Sequence, residues 1–109
     1  MSTRGITDAV RQEVVQIVEQ FNRHVLRGAA VRYVPRFRGN YLYLDRTDYS
    51  RPSPICLLRY TGAMDAWDFA IYKYSDERYD AEEWFFPGSQ HIDGTVAGAL
   101  KAGLEAYPR

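Results

Sequence analysis

Cysteine is nearly missing. The one present, Cys56, excludes a disulfide within the chain and fits a reducing compartment. Histidine is scarce too: His24 and His91 with one cysteine cannot assemble the four Cys/His ligands of a structural zinc site. No stretch approaches the ~18 consecutive apolar residues of a membrane span. The opening MSTRGITDAV lacks the apolar core of a signal peptide. There is no Gly-x-Ser-x-Gly elbow, no Gly-x-x-x-x-Gly-Lys phosphate loop and no dinucleotide fingerprint. These absences predict a cytoplasmic protein with no membrane partner and no cofactor, and they name no reaction.

What is present is ordinary globular chemistry. At 46% apolar and 26% charged residues, the composition belongs to a folding chain rather than a disordered one. Its 109 residues suit a single domain over 1–109. Leu and Ile are few, so the nine Tyr, five Phe and two Trp must supply much of the core.

Charge is unevenly placed. Residues 1–60 hold ten Arg and no Lys against five acids, and residues 61–109 hold two Lys and two Arg against nine acids. The fold can place these opposite charges against each other, or present them as two poles of the surface.

Residues 8–27 carry a helical stripe of Val10, Val14, Ile17, Val18, Phe21 and Val25, with Thr7 as N-cap and Gly28 as a left-handed stop. Residues 31–38 and 41–47 alternate as strands around Gly39-Asn40, a pair suited to a two-residue hairpin loop. That loop fixes the register. It puts Val31, Tyr33, Phe37, Leu42 and Leu44 on one face, and Arg32, Arg36, Arg38, Tyr41 and Tyr43 on the other. Pro35 marks the first strand as an edge or a bulge. Residues 48–54 read as a stiff connector. Residues 55–60 and 67–74 form a second hairpin that pairs Arg59 with Asp68. Residues 75–92 are irregular, with at most one helical turn over Ala81–Trp84. A final helix over 94–106 has Asp93 as N-cap and small residues at Gly94, Gly98, Ala102 and Ala106. The predicted fold is α+β, a two-layer sandwich of helix, four-stranded antiparallel sheet in two hairpins, and helix.

The order of elements resembles that of double-stranded-RNA-binding domains, which run helix, three strands, helix. Their last helix opens on a lysine cluster. Here that position reads Gly94-Thr95-Val96-Ala97 after Asp93, so the resemblance extends to element order alone.

Three functional readings follow. The first is a non-enzymatic binding or interaction module, able to form a homodimer or to meet another protein. Its contacts are the Arg/Tyr sheet face and the Trp84-Phe85-Phe86-Pro87-Gly88 segment, since exposed aromatics mark interfaces. The second is nucleic-acid binding by Arg32, Arg36, Arg38, Tyr41 and Tyr43, because guanidinium groups hold phosphates and rings stack bases. The third is a small enzyme or small-molecule binder with a pocket under the 75–92 loop, where His91 sits among carboxylates. Competing structural roles exist for each: Arg stems packed over Tyr rings, an aromatic plug closing the core, a solvated acidic loop, and a buried inert Cys56.

Overall fold

The computed structural model describes residues 5–27, 30–49, 51–83 and 85–108. Two helices and a five-stranded antiparallel sheet make an α+β fold. Helix α1 spans Asp8–Phe21, followed by β1 (Val31–Arg38), β2 (Tyr41–Asp48), β3 (Arg51–Arg59), β4 (Asp68–Lys73), β5 (Arg78–Asp80) and helix α2 (Val96–Ala106). The strands lie in sequence order, a simple meander.

Thr7 caps α1 as its side-chain oxygen accepts from the Val10 amide at 3.2 Å. The predicted helix to residue 27 is not one α-helix. After Phe21 the chain widens into a π turn over Asn22–Leu26 and leaves through Arg27 in the left-handed region. The wider turn rotates the stripe by a residue: Leu26 is buried and Val25 is 41% exposed. Gly28, the expected stop, lies outside the described residues.

The first hairpin has the predicted register, Val31 opposite Asp48 through Arg38 opposite Tyr41. Gly39, at φ +62°, supplies the left-handed first position of the two-residue loop. As Pro35 implied, β1 is an edge strand. Its open side is closed locally by Asn22, whose side-chain amide donates to the Tyr33 carbonyl (2.9 Å) and accepts from the Tyr33 N–H (2.8 Å). The π turn thus holds a side chain where a neighbouring strand would otherwise pair.

Two expectations are corrected in the sheet. The connector at 48–54 is the first half of β3, paired with β2 from Asp48–Arg51 to Asp45–Pro54. Pro52 and Pro54 are tolerated because β4 pairs only with Cys56–Arg59, so this half of β3 has one neighbour. A fifth strand, β5, then pairs Arg78–Asp80 with Ile71–Lys73. It carries no apolar alternation. Its core-side residues are Arg78 and Asp80, held by charge beside Lys73. No helical turn forms over Ala81–Glu83; the Glu82 amide instead donates to the Asp80 side chain.

Both helices pack on the same face of the sheet. Tyr33, 1% exposed, touches Phe21 of α1 edge-on at 5.6 Å and donates its hydroxyl to the Leu100 carbonyl of α2. Val14, Val18, Leu42, Leu44, Cys56, Leu58, Val96 and Leu100 join it in one buried cluster. A register shift between Leu44 and Asp45 makes Ile55 an extra residue, so Ile55 and Cys56 both enter the core. Ile55 meets α2 at Gly103.

Helix α2 starts two residues later than predicted. Thr95 is its N-cap, accepting from the Gly98 amide at 3.0 Å, while Asp93 accepts from both the hydroxyl and the amide of Thr95. Gly94 therefore lies outside the helix; Gly103 makes the close approach to the sheet, while Gly98 of the expected stripe lies against His91 and Asp93 instead. No helix among the described residues is long and apolar enough to cross a membrane.

Candidate functional site: the uncovered sheet face

With both helices on one face, strand alternation assigns the other. It presents Arg32, Arg36 and Arg38 from β1, Tyr41, Tyr43 and Asp45 from β2, and Leu57 and Arg59 from β3. Asp68, Ala70 and Tyr72 follow from β4, and Tyr79 from β5. The five sheet residues predicted as a site are therefore together. They differ in availability.

Arg36 is engaged. Its Nε lies 3.2 Å from Asp45 Oδ2, and its guanidinium lies 4.3 Å from the centre of the Tyr43 ring. The Asp45 hydrogen bond raises the Arg36 pKa further. Arg59 is likewise bound to Asp68, its Nε donating at 3.0 Å, the cross-strand pair expected from the sequence. Arg32 and Arg38 are exposed and their side chains have no partner among the described residues. Tyr41, 38% exposed, is the most open ring of the hairpin face.

Tyr43 begins a row of rings: Tyr43–Tyr79 at 5.7 Å, Tyr79–Tyr72 at 5.0 Å, Tyr72–Tyr74 at 4.9 Å and Tyr74–Tyr107 at 5.2 Å, all edge-to-face. The row runs from β2 across β5 and β4 to the end of α2. Burial, and after it the Asp45 carboxylate, pushes the Tyr79 hydroxyl up to about 12. Tyr72 was legible in the second hairpin's register. Tyr79 was not, because β5 has no sequence signal. Asp45 shares the alternation of Tyr41 and Tyr43 and could have been found by it.

Beside Tyr41 lies a groove of about 520 Å³. Leu57 and Ala70 form its floor on the uncovered face, Arg59 and Asp68 stand at its rim, and Trp67, Phe69 and Ile92 close it where β5 leaves the β4 edge. A second cavity, of about 340 Å³, lies under the 75–92 segment among Ile71, Lys73, Glu83, Phe86 and Tyr107. Lys73 Nζ stands 3.6–3.9 Å from Asp76, Asp80 and Glu83, and Arg78 also reaches Asp76 and Asp80.

The remaining predicted residues are dispersed. Phe86 stacks on Phe69 at 6.0 Å and is half-buried, while Phe85 is 94% exposed. Trp84 lies outside the described residues. His91 sits in a short turn on α2, hydrogen-bonded to Glu105, which holds the Glu105 carboxyl below its usual range. It is not with the arginines. Cys56 is fully buried, and burial pushes its thiol well above the ordinary value. Among the described residues no group of three His, Cys, Asp or Glu is placed to hold a metal ion.

The sequence missed Arg46. It lies on the core side, 5% exposed, donating to the Tyr107 carbonyl at the end of α2 with Asp48 at 3.5 Å. A cation at a helix C-terminus is stabilising.

No family model, curated protein or solved structure matches this chain.

Proposed function

We propose that this protein is a non-enzymatic binding module of the cytoplasm, and that its working surface is the uncovered face of the sheet. The observation that carries this reading is the placement of both helices on one face, which leaves Arg32, Arg38, Tyr41 and the adjoining groove facing solvent. Arginine and tyrosine are the residue types that dominate binding surfaces. The potential nucleophile, Cys56, is sealed in the core, and His91 is tied to Glu105 away from either cavity's lining. Both favour binding over catalysis. Candidate partners are a nucleic acid, another protein or a second copy of this chain.

Isotope-labelled protein is to be followed by amide chemical shifts. A homopolymeric single strand, polyglutamate and a concentration series of the protein alone form the set. At least one should move resonances of β1–β4 residues facing away from the helices. Shifts confined to the helix face, or to the 75–92 segment, would overturn the reading. In the latter case the 340 Å³ cavity becomes the site, as a small-molecule pocket.

A further inference from the structure

We propose that the occupant of this face is a single-stranded nucleic acid, with Arg32 and Arg38 holding its backbone and one base entering the groove beside Tyr41. This rests on the reading of the sheet face as the working surface.

The free cations decide the backbone contacts. Arg36 and Arg59 already have carboxylate partners, so Arg32 and Arg38 are the arginines of this face left for phosphates. They are six residues apart on one strand, roughly 20 Å at the usual strand rise. That distance suits an extended strand lying along β1.

The ring chemistry then selects Tyr41. Tyr43 has Arg36 over its face and Tyr79 at its edge, so its surface is occupied from within the fold. Tyr41 is open and borders the groove. The groove has an apolar floor of Leu57 and Ala70 and a donor–acceptor pair, Arg59–Asp68, at its rim. A nucleobase has the matching form, a flat apolar face with polar edges, and it is available to such a slot only when unpaired and unstacked. A duplex offers phosphates but no free base.

The other macromolecules fit less well. A second copy cannot extend the sheet through β1 at Tyr33, where Asn22 takes both backbone groups, or at Pro35, which has no N–H. At the acidic end, Asp76, Asp80 and Glu83 are already bound to Lys73 and Arg78, which leaves fewer carboxylates there to meet the arginines of a second copy. A peptide of acidic residues alone would use the arginines and leave the apolar floor of the slot unfilled.

The test is fluorescence anisotropy with a short labelled single strand of mixed sequence, the same strand as a duplex, and labelled polyglutamate, at low and at physiological salt. The single strand should bind tightest. Its log–log salt slope should be about −1.4, the value for two phosphates contacted. The double substitution Arg32→Ala/Arg38→Ala should flatten that slope. Tyr41→Ala should weaken binding roughly 5- to 150-fold, the range of one base stack, and Tyr41→Phe should restore it. All three positions are exposed, and circular dichroism melts will confirm that the variants fold. Equal binding of duplex or polyglutamate, or a folded Tyr41→Ala variant with unchanged affinity, would overturn the assignment. If polyglutamate alone binds and the double substitution abolishes it, the nucleic acid is wrong and the sheet face stands. If nothing binds and no outward-facing resonance shifts, both fall together.

Discussion

Gly103 sets local helix preference against packing. Alanine is favoured over glycine inside a helix by about 1 kcal/mol, so sequence rules alone predict that Gly103→Ala stabilises α2. A β-carbon there would lie 2.6 Å from both Ile55 Cγ2 and the Tyr33 hydroxyl. Neither atom can yield freely: Ile55 is held by the bulge in β3, and Tyr33 donates to Leu100. Overpacking of this kind costs roughly 1–3 kcal/mol and should exceed the propensity gain. Gly103→Ala is therefore expected to lower the urea midpoint, and an increase would show that α2 can lift off the sheet without loss. Cys56 and Tyr33 teach a related lesson. Each is a polar or reactive group that burial makes inert, and burial raises both pKa values far above their ordinary ranges.

Edges and ends explain most of what distinguishes the elements from their sequence patterns. Strand β1 is long and lies at the edge of the sheet, a geometry that invites pairing with other chains. Three features oppose this: arginines along it, Pro35 within it, and the Asn22 amide bonded to Tyr33. Replacing Asn22 by Ala leaves a backbone donor and acceptor without partners. The expected cost is about 1–3 kcal/mol, together with faster hydrogen exchange at the Tyr33 amide and a greater tendency to aggregate. Unchanged exchange at Tyr33 would mean that the edge is protected without Asn22. The hairpins were legible because turn residues and alternation agree on one register. The first half of β3 was hidden by its prolines, and β5 by its charges. The helix end near Asn22 was hidden because a π turn leaves no periodic trace over five residues. At the N-terminus of α2, Asp93 and Thr95 are both competent caps. The one chosen depends on where the loop from β5 delivers the chain.

Across the whole molecule, the row of tyrosines couples the sheet to the end of α2, and it gives stability a particular dependence on alkali. Tyr79 has a folded-state pKa near 12, above its ordinary value of 10.0, chiefly through burial and then the Asp45 carboxylate. The neutral phenol is thus favoured in the fold. Its stabilising contribution is complete below about pH 10 and is lost as the pH climbs from there to about 12. Tyr74 and Tyr107 are shifted in the same direction by burial. Urea midpoints across this range should fall with rising pH, and Tyr79→Phe should flatten the decline. An unaltered decline would assign it to the other tyrosines. The zero formal charge of the chain conceals its arrangement: part of the acidic half is bound up at Lys73 and Arg78, while Arg32 and Arg38 remain free on the sheet.

The sequence alone determined the class of fold, helix α1 up to its π turn, the registers of both predicted hairpins, and the set of arginines and tyrosines that share a face. These follow from periodicity and turn chemistry, which are local. Only the tertiary structure decided which of those residues are available. It paired Arg36 with Asp45 and Arg59 with Asp68, covered Tyr43, opened the groove beside Tyr41, buried Arg46 and separated His91 from the rest. Each of those outcomes depends on contacts between strands or across layers, where the partner is set by packing and burial rather than by spacing along the chain.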